Sequence, residues 1–241
     1  MAKAVRLDKF LADAGKGTRS EVKKIIQKGQ VQVNGAPAKK PELKVDPEKD
    51  TVILSGETVG VAPEFVYYLL NKPAGCVSAT EDRNDRTVME YVPSDRKGIF
   101  PVGRLDKDTE GLLLITDDGM LAHELLAPGK HVPKTYYAKI DGTVTEREVT
   151  LFAEGLEIGE KKPTAPAILE ILHSAEQSEI RVTITEGKFH QIKRMFHAVG
   201  MEVLYLKRLS MGTLQLDETL APGAWRELTE SEIQQLKEEQ S

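Results

Sequence analysis

Gly103-Arg104-Leu105-Asp106-Lys107-Asp108-Thr109-Glu110-Gly111-Leu112-Leu113-Leu114 crowds an arginine and three acids into a glycine-bounded turn, and an apolar run follows at once to residue 116. A run of that kind, too short for a helix of its own, reads as a buried strand, so the turn before it is fixed in space. Asp106 then stands on a rigid support, as a carboxylate nucleophile requires. A solvated acidic loop is the plainer reading of the same residues. The rest of the chain has to decide between the two.

The 241 residues suffice for one large domain, or a small one joined to a larger one. A core of that size needs no covalent staples. The single cysteine, Cys76, permits no intramolecular disulfide and reads as a small buried hydrophobe, which fits a reducing cytoplasm. No apolar run approaches membrane-spanning length and the N-terminal stretch lacks a signal-peptide core, so a soluble cytoplasmic protein without a membrane partner is expected. The formal net charge of −5 argues against nucleic acid only until it is divided along the chain. Residues 1–45 hold 11 Lys/Arg against 4 Asp/Glu, a local balance of +7. A basic module joined to an acidic body is the implication.

Residues 5–14 read as a short amphipathic helix with Leu7, Phe10, Leu11 and Ala14 on one face, ended by Gly15 and Gly17. Thr18 and Glu21 form a capping box for a second helix running to about residue 28, with Val22, Ile25 and Ile26 inward. Val31-Gln32-Val33 followed by Asn34-Gly35 is a strand entering a tight turn, and residues 51–54 form a further strand. This segment resembles the S4 RNA-binding domain over about residues 5–55. The resemblance implies a grip on structured RNA, for which Arg6, Lys9, Arg19, Lys23, Lys24 and Lys28 are the candidate contacts. Lysines and arginines of that density pair with phosphates and release counterions.

The expected organisation is an S4-like unit at 1–57, a linker at 58–65 and a body at 66–241. In the body, strands are expected at 65–70, 112–116, 136–140, 168–172, 179–185, 203–207 and 212–216. Helices are expected near 119–125, 147–154, 190–199 and 230–239. Strands and helices without strict alternation argue an α+β class, with a mixed, mainly antiparallel sheet flanked by helices.

Three more segments carry chemistry. Lys72-Pro73-Ala74-Gly75-Cys76-Val77-Ser78 is a loop whose backbone could support a ligand. Lys134-Thr135-Tyr136 begins a strand with a tyrosine, a residue that also serves as a core anchor with a satisfied hydroxyl. Glu186-Gly187-Lys188-Phe189-His190-Gln191-Ile192-Lys193-Arg194-Met195 leads from a strand into a basic helix start suited to anions. The five histidines do not fall at metal-ligand spacings, and no phosphate loop or dinucleotide fingerprint is present.

Taken together with the opening stretch, and in this order over residues 66–229, these segments resemble pseudouridine synthases of the RsuA/RluB type. The resemblance implies isomerisation of uridine without cofactor, metal or external energy. It implies Asp106 as the essential aspartate, acting by covalent attack or by removing a sugar C2′ proton. Arg104 would fill the space left by an extruded base, Tyr136 would stack on the uracil, and Lys188 would pair with the aspartate. His190, Lys193 and Arg194 are further RNA-contact candidates. The expected substrate is a specific uridine of ribosomal RNA, free or in an assembly particle, acted on by a monomer. Residues 86–91 and 122–128 look most like the small-subunit (16S) type; the large-subunit (23S) type is the alternative. A noncatalytic ribosome-assembly protein, or a hydrolase pairing Asp106 with Glu110, are rivals from other classes.

Overall fold

A computed structural model describes residues 4–47, 49–60, 65–93 and 96–239. The chain divides into two compact units, Met1–Glu64 and Phe65–Ser241.

The first unit runs β1 (Val5–Arg6), α1 (Leu7–Asp13), α2 (Arg19–Gln27), β2 (Val31–Val33), β3 (Ala36–Ala38), β4 (Lys44–Val45), β5 (Val52–Leu54) and β6 (Glu57–Val59). The capping box is present: Thr18 N–H donates to Glu21 Oε2 at 2.8 Å, and the Thr18 hydroxyl accepts from Glu21 N–H at 3.4 Å. Leu7, Phe10 and Leu11 meet Val22 and Ile26 over Val31, Val45, Val52 and Val59 to form its core.

Two differences from expectation have local causes. Residues 5 and 6 leave the first helix to pair with β4. The stretch read as a linker begins as strand β6, because Ser55 and Gly56, both at positive φ, turn the chain back onto β5. Residues 61–64 of that stretch lie outside the described residues, as do residues 1–3 and 48 of the first unit and 240–241 of the second.

The second unit runs β7 (Tyr67–Lys72), β8 (Phe100–Pro101), β9 (Glu110–Thr116), α3 (Gly119–Leu126), β10 (Lys134–Asp141), α4 (Glu146–Glu154), β11 (Ile168–His173), β12 (Gln177–Ile184), α5 (Gln191–Ala198), β13 (Glu202–Met211), β14 (Leu214–Gln215), β15 (Trp225–Glu227) and α6 (Glu230–Glu239). Seven strands form the path β11-β12-β10-β13-β9-β7-β15, with β8 on β9 and β14 on β13. The β13–β9 pair is parallel and the other pairings are antiparallel. The architecture is α+β with a mixed, mainly antiparallel sheet.

Strand β9 explains its own composition. Leu113 and Ile115 face the core under α4 and α5, while Leu112 and Leu114 face the core under α3 and α6. A strand covered on both faces must be apolar at every position. Each of these fully buried side chains contributes about 1.5–3 kcal/mol. Gly111 is required here: its φ is +100°, and a Cβ would collide with the Arg208 backbone on β13. The expected strand at 203–207 extends to Met211 as β13, and of the expected strand at 212–216 only β14 forms, because Gly212 and Thr213 turn the chain back onto β13. Strand β15, which pairs with β7, was not anticipated.

Candidate active site

The turn at 103–109 enters β9 and is tied down from beneath by the loop that leaves β7. Lys72, with no exposed surface, donates through Nζ to the carbonyls of Thr109 at 2.8 Å, Pro73 at 3.0 Å, Asp106 at 3.1 Å and Lys107 at 3.4 Å. An ammonium has three N–H groups, so the three short contacts use all of them. Burial lowers the Lys72 pKa, with nearby acids and Cys76 acting against it. Ser78 holds the next residue from both sides: its Oγ donates to Leu105 O and accepts from Leu105 N–H, each at 3.0 Å. Gly75 N–H adds a bond to Lys107 O at 2.7 Å. The loop read as a ligand support thus supports the aspartate turn.

Asp106 sits in a small cavity of about 100 Å³ that opens to solvent. Tyr136 on β10, Arg104, Lys188, His190 and Lys193 line it too. Tyr136 is buried to 7% exposure, yet its hydroxyl has no hydrogen-bond partner among the described residues. Arg104 is exposed and likewise makes no hydrogen bond or ion pair among them. Both side chains are therefore uncommitted.

The cation at the aspartate is Lys193, not Lys188. Lys193 Nζ lies 3.2 Å from Asp106 Oδ2 and 2.6 Å from Asp108 Oδ1, and His190 Nε2 lies 3.4 Å from Asp106 Oδ1. Burial opposes the Lys193 charge, but the bonds to Asp108 and Asp106 outweigh it and raise its pKa. The same bond lowers that of Asp108. Lys188 lines the cavity, but its ammonium turns to Glu186 Oε1 at 3.2 Å and Pro163 O at 3.1 Å. Lys193 lies in the first turn of α5 and His190 takes the N-cap position of that helix in a left-handed conformation, whereas Lys188 lies two residues further back, where Glu186 and the Pro163 carbonyl take its ammonium.

Arg194, expected at RNA, is spent internally. Its guanidinium bonds Glu160 at 2.8 Å, Phe189 O at 3.1 Å and the Ile158 carbonyl. Glu110, the second acid of the hydrolase rival, accepts from Tyr205 Oη at 2.6 Å and does not line the cavity. Burial and that bond push the Tyr205 phenol above its usual pKa.

Beside Tyr136 on β10, Lys134 is buried and donates to Val132 O at 2.8 Å. Burial, then repulsion from Arg208, lowers its pKa to about 8. In the first unit, Lys9, Arg19, Lys23, Lys24 and Lys28 are exposed, while Arg6 is held by Asp8 through bonds of 3.0 and 2.9 Å. Among the described residues no helix is long and apolar enough to cross a membrane, and no three His, Cys, Asp or Glu residues group to hold a metal.

Both units match known protein families. The RNA pseudouridylate synthase family matches residues 66–198, and the S4 domain matches residues 5–52. An uncharacterized RNA pseudouridine synthase of Bacillus subtilis is 48% identical over 98% of this chain and 100% of its own length. Ribosomal small subunit pseudouridine synthase A of Haemophilus influenzae is 40% identical over 96% of this chain and 99% of its own. A crystal structure of a pseudouridylate synthase, 39% identical, superposes with a TM-score of 0.68 over 96% of this chain and 99% of its own.

Proposed function

The chain belongs to the RNA pseudouridylate synthase family and carries an S4 domain, and from that premise we propose that it isomerises a specific uridine of small-subunit ribosomal RNA to pseudouridine. The observation that carries the reading is the meeting of Asp106 with uncommitted Tyr136 and Arg104 in one cavity.

The reaction breaks the N1–C1′ glycosidic bond, turns the uracil and joins C5 to C1′. A uridine in folded RNA must leave its stack first, at a cost of a few kcal/mol. Arg104, free at the cavity lip, fills the gap with a guanidinium plane. Inside, the Tyr136 ring stacks on the base for about 1–3 kcal/mol. Its hydroxyl is available to assist removal of the C5 proton. Asp106 acts on the nucleotide as an ionised carboxylate, whether by attack on it or by taking the C2′ proton. Lys193 Nζ and His190 Nε2, 3.2 and 3.4 Å from its oxygens, hold the carboxylate in position.

The small-subunit assignment rests on likeness to the Haemophilus enzyme along nearly the whole of both chains. The first unit acts as the docking module, its exposed Lys9, Arg19, Lys23, Lys24 and Lys28 meeting phosphates. The reaction then belongs in the cytoplasm, on free RNA or on an assembly particle. The test incubates unmodified 16S and 23S RNA, free and in particles, with enzyme, and maps pseudouridine by carbodiimide-dependent reverse-transcription stops. A single new stop in 16S RNA is expected. Stops in 23S RNA alone would reverse the substrate assignment.

A further inference from the structure

The Asp106 cavity adjoins a second groove that shares Asp106 and Arg104 with it and extends past them to Phe189. Ser78, Lys107 and Phe189 line the groove alone, and Lys188 and His190 are also common to groove and cavity. Phe189 is 75% exposed, an unusual setting for a phenyl ring. It is held in place: the ring stacks on the His190 imidazole with centroids 3.8 Å apart and planes 20° apart. His190 is itself fixed, with φ 48° in the left-handed region and Nε2 beside Asp106. The result is a rigid aromatic face, open to solvent, at the mouth of the cavity and flanked by the unpaired cation of Arg104.

We propose that this groove is a subsite for the nucleotide adjoining the target uridine, whose base stacks on Phe189. The inference rests on the RNA-isomerase reading above. When a base leaves the stack, each of its two neighbours loses a covering face; Arg104 covers one, and one phosphodiester tethers the other neighbour beside the cavity. An aromatic side chain is the usual receiver of such a face, and stacking accepts any base. The cations along the groove suit the joining phosphates. An apolar protein segment would gain nothing from them.

The test uses the full chain and a small-subunit rRNA fragment containing the target uridine. Each neighbour of that uridine is replaced in turn by 2-aminopurine or by an abasic residue. At one of the two positions, 2-aminopurine fluorescence should fall on binding wild type and Phe189→Trp, and not on binding Phe189→Ala. Phe189→Ala should raise KM about ten-fold, the loss of one base–aromatic stack, with the effect falling on KM rather than kcat. An abasic residue at that same position should remove the difference between wild type and Phe189→Ala. Equal quenching and equal KM for all three proteins would overturn the proposal, as would one unchanging penalty on every RNA. Quenching through Phe189 without any pseudouridine formed would overturn the substrate reading and leave the subsite standing. A wild type that neither binds nor modifies the fragment would overturn both.

Discussion

Replacing Lys72 by methionine keeps the buried aliphatic stem and removes only the ammonium that ties the aspartate turn. Three short bonds are lost, to Thr109, Pro73 and Asp106 carbonyls. Hydrogen bonds to a charged group contribute about 2 kcal/mol each. Relief of the buried charge returns several kcal/mol. The net loss is about 1–3 kcal/mol, which lowers Tm by about 2–12 °C in a protein of this length. Activity should fall further than stability does. The carbonyls of Asp106 and Thr109 lose their common anchor, and a shift on the order of 1 Å at a reacting group costs about 10²-fold in rate. The assay is single-turnover pseudouridine formation well below Tm, alongside thermal unfolding. A Lys72→Met protein with wild-type Tm and a rate within about three-fold would refute the tethering argument.

Three other outcomes follow from the same geometry. Lys193→Met, which strips Asp106 and Asp108 of their shared cation, should lower kcat about 100-fold, whereas Lys188→Met should cost less than about ten-fold; steady-state kinetics on one RNA ranks them. Gly111→Ala should destabilise the body by about 3 kcal/mol or more, read as a lower urea midpoint, because its Cβ meets the β13 backbone at a positive φ. For Lys134, the folded pKa near 8 lies below the unfolded 10.5, so between those values the unfolded chain binds the extra proton. Wild-type stability relative to Lys134→Met should therefore rise from pH 8 to 10.5 and stay level below pH 8, as urea titrations at stepped pH would show.

Local signals in the sequence carried much of the fold. The run at 112–116 announced a strand buried on both faces. Thr18 and Glu21 announced the start of α2, and Asp118 accepts from Leu121 N–H as the cap of α3. The contacts that escaped notice depend on distant partners. Nothing near Trp225–Glu227 signals its pairing with Tyr68, Leu69 and Leu70. Lys72 ends an apolar strand and reads as a residue heading for water, until the fold places a cluster of carbonyls around it. The resemblance places Lys188 at Asp106, whereas the fold brings Lys193 there from the first turn of α5, a pairing across distant segments that no local pattern signals. Ser55-Gly56, by contrast, carried a hairpin signal that the linker reading passed over.

The most direct measurement is tritium release from small-subunit rRNA labelled at uracil C5, compared between wild type and Asp106→Asn. Joining C5 to C1′ expels the C5 hydrogen to water while leaving the RNA mass otherwise unchanged. Wild type should release close to one tritium per RNA at the target uridine, with no free uracil, and Asp106→Asn should be slower by about 10³-fold or more. Tritium release by Asp106→Asn at the wild-type rate, or free uracil in place of pseudouridine, would contradict the account.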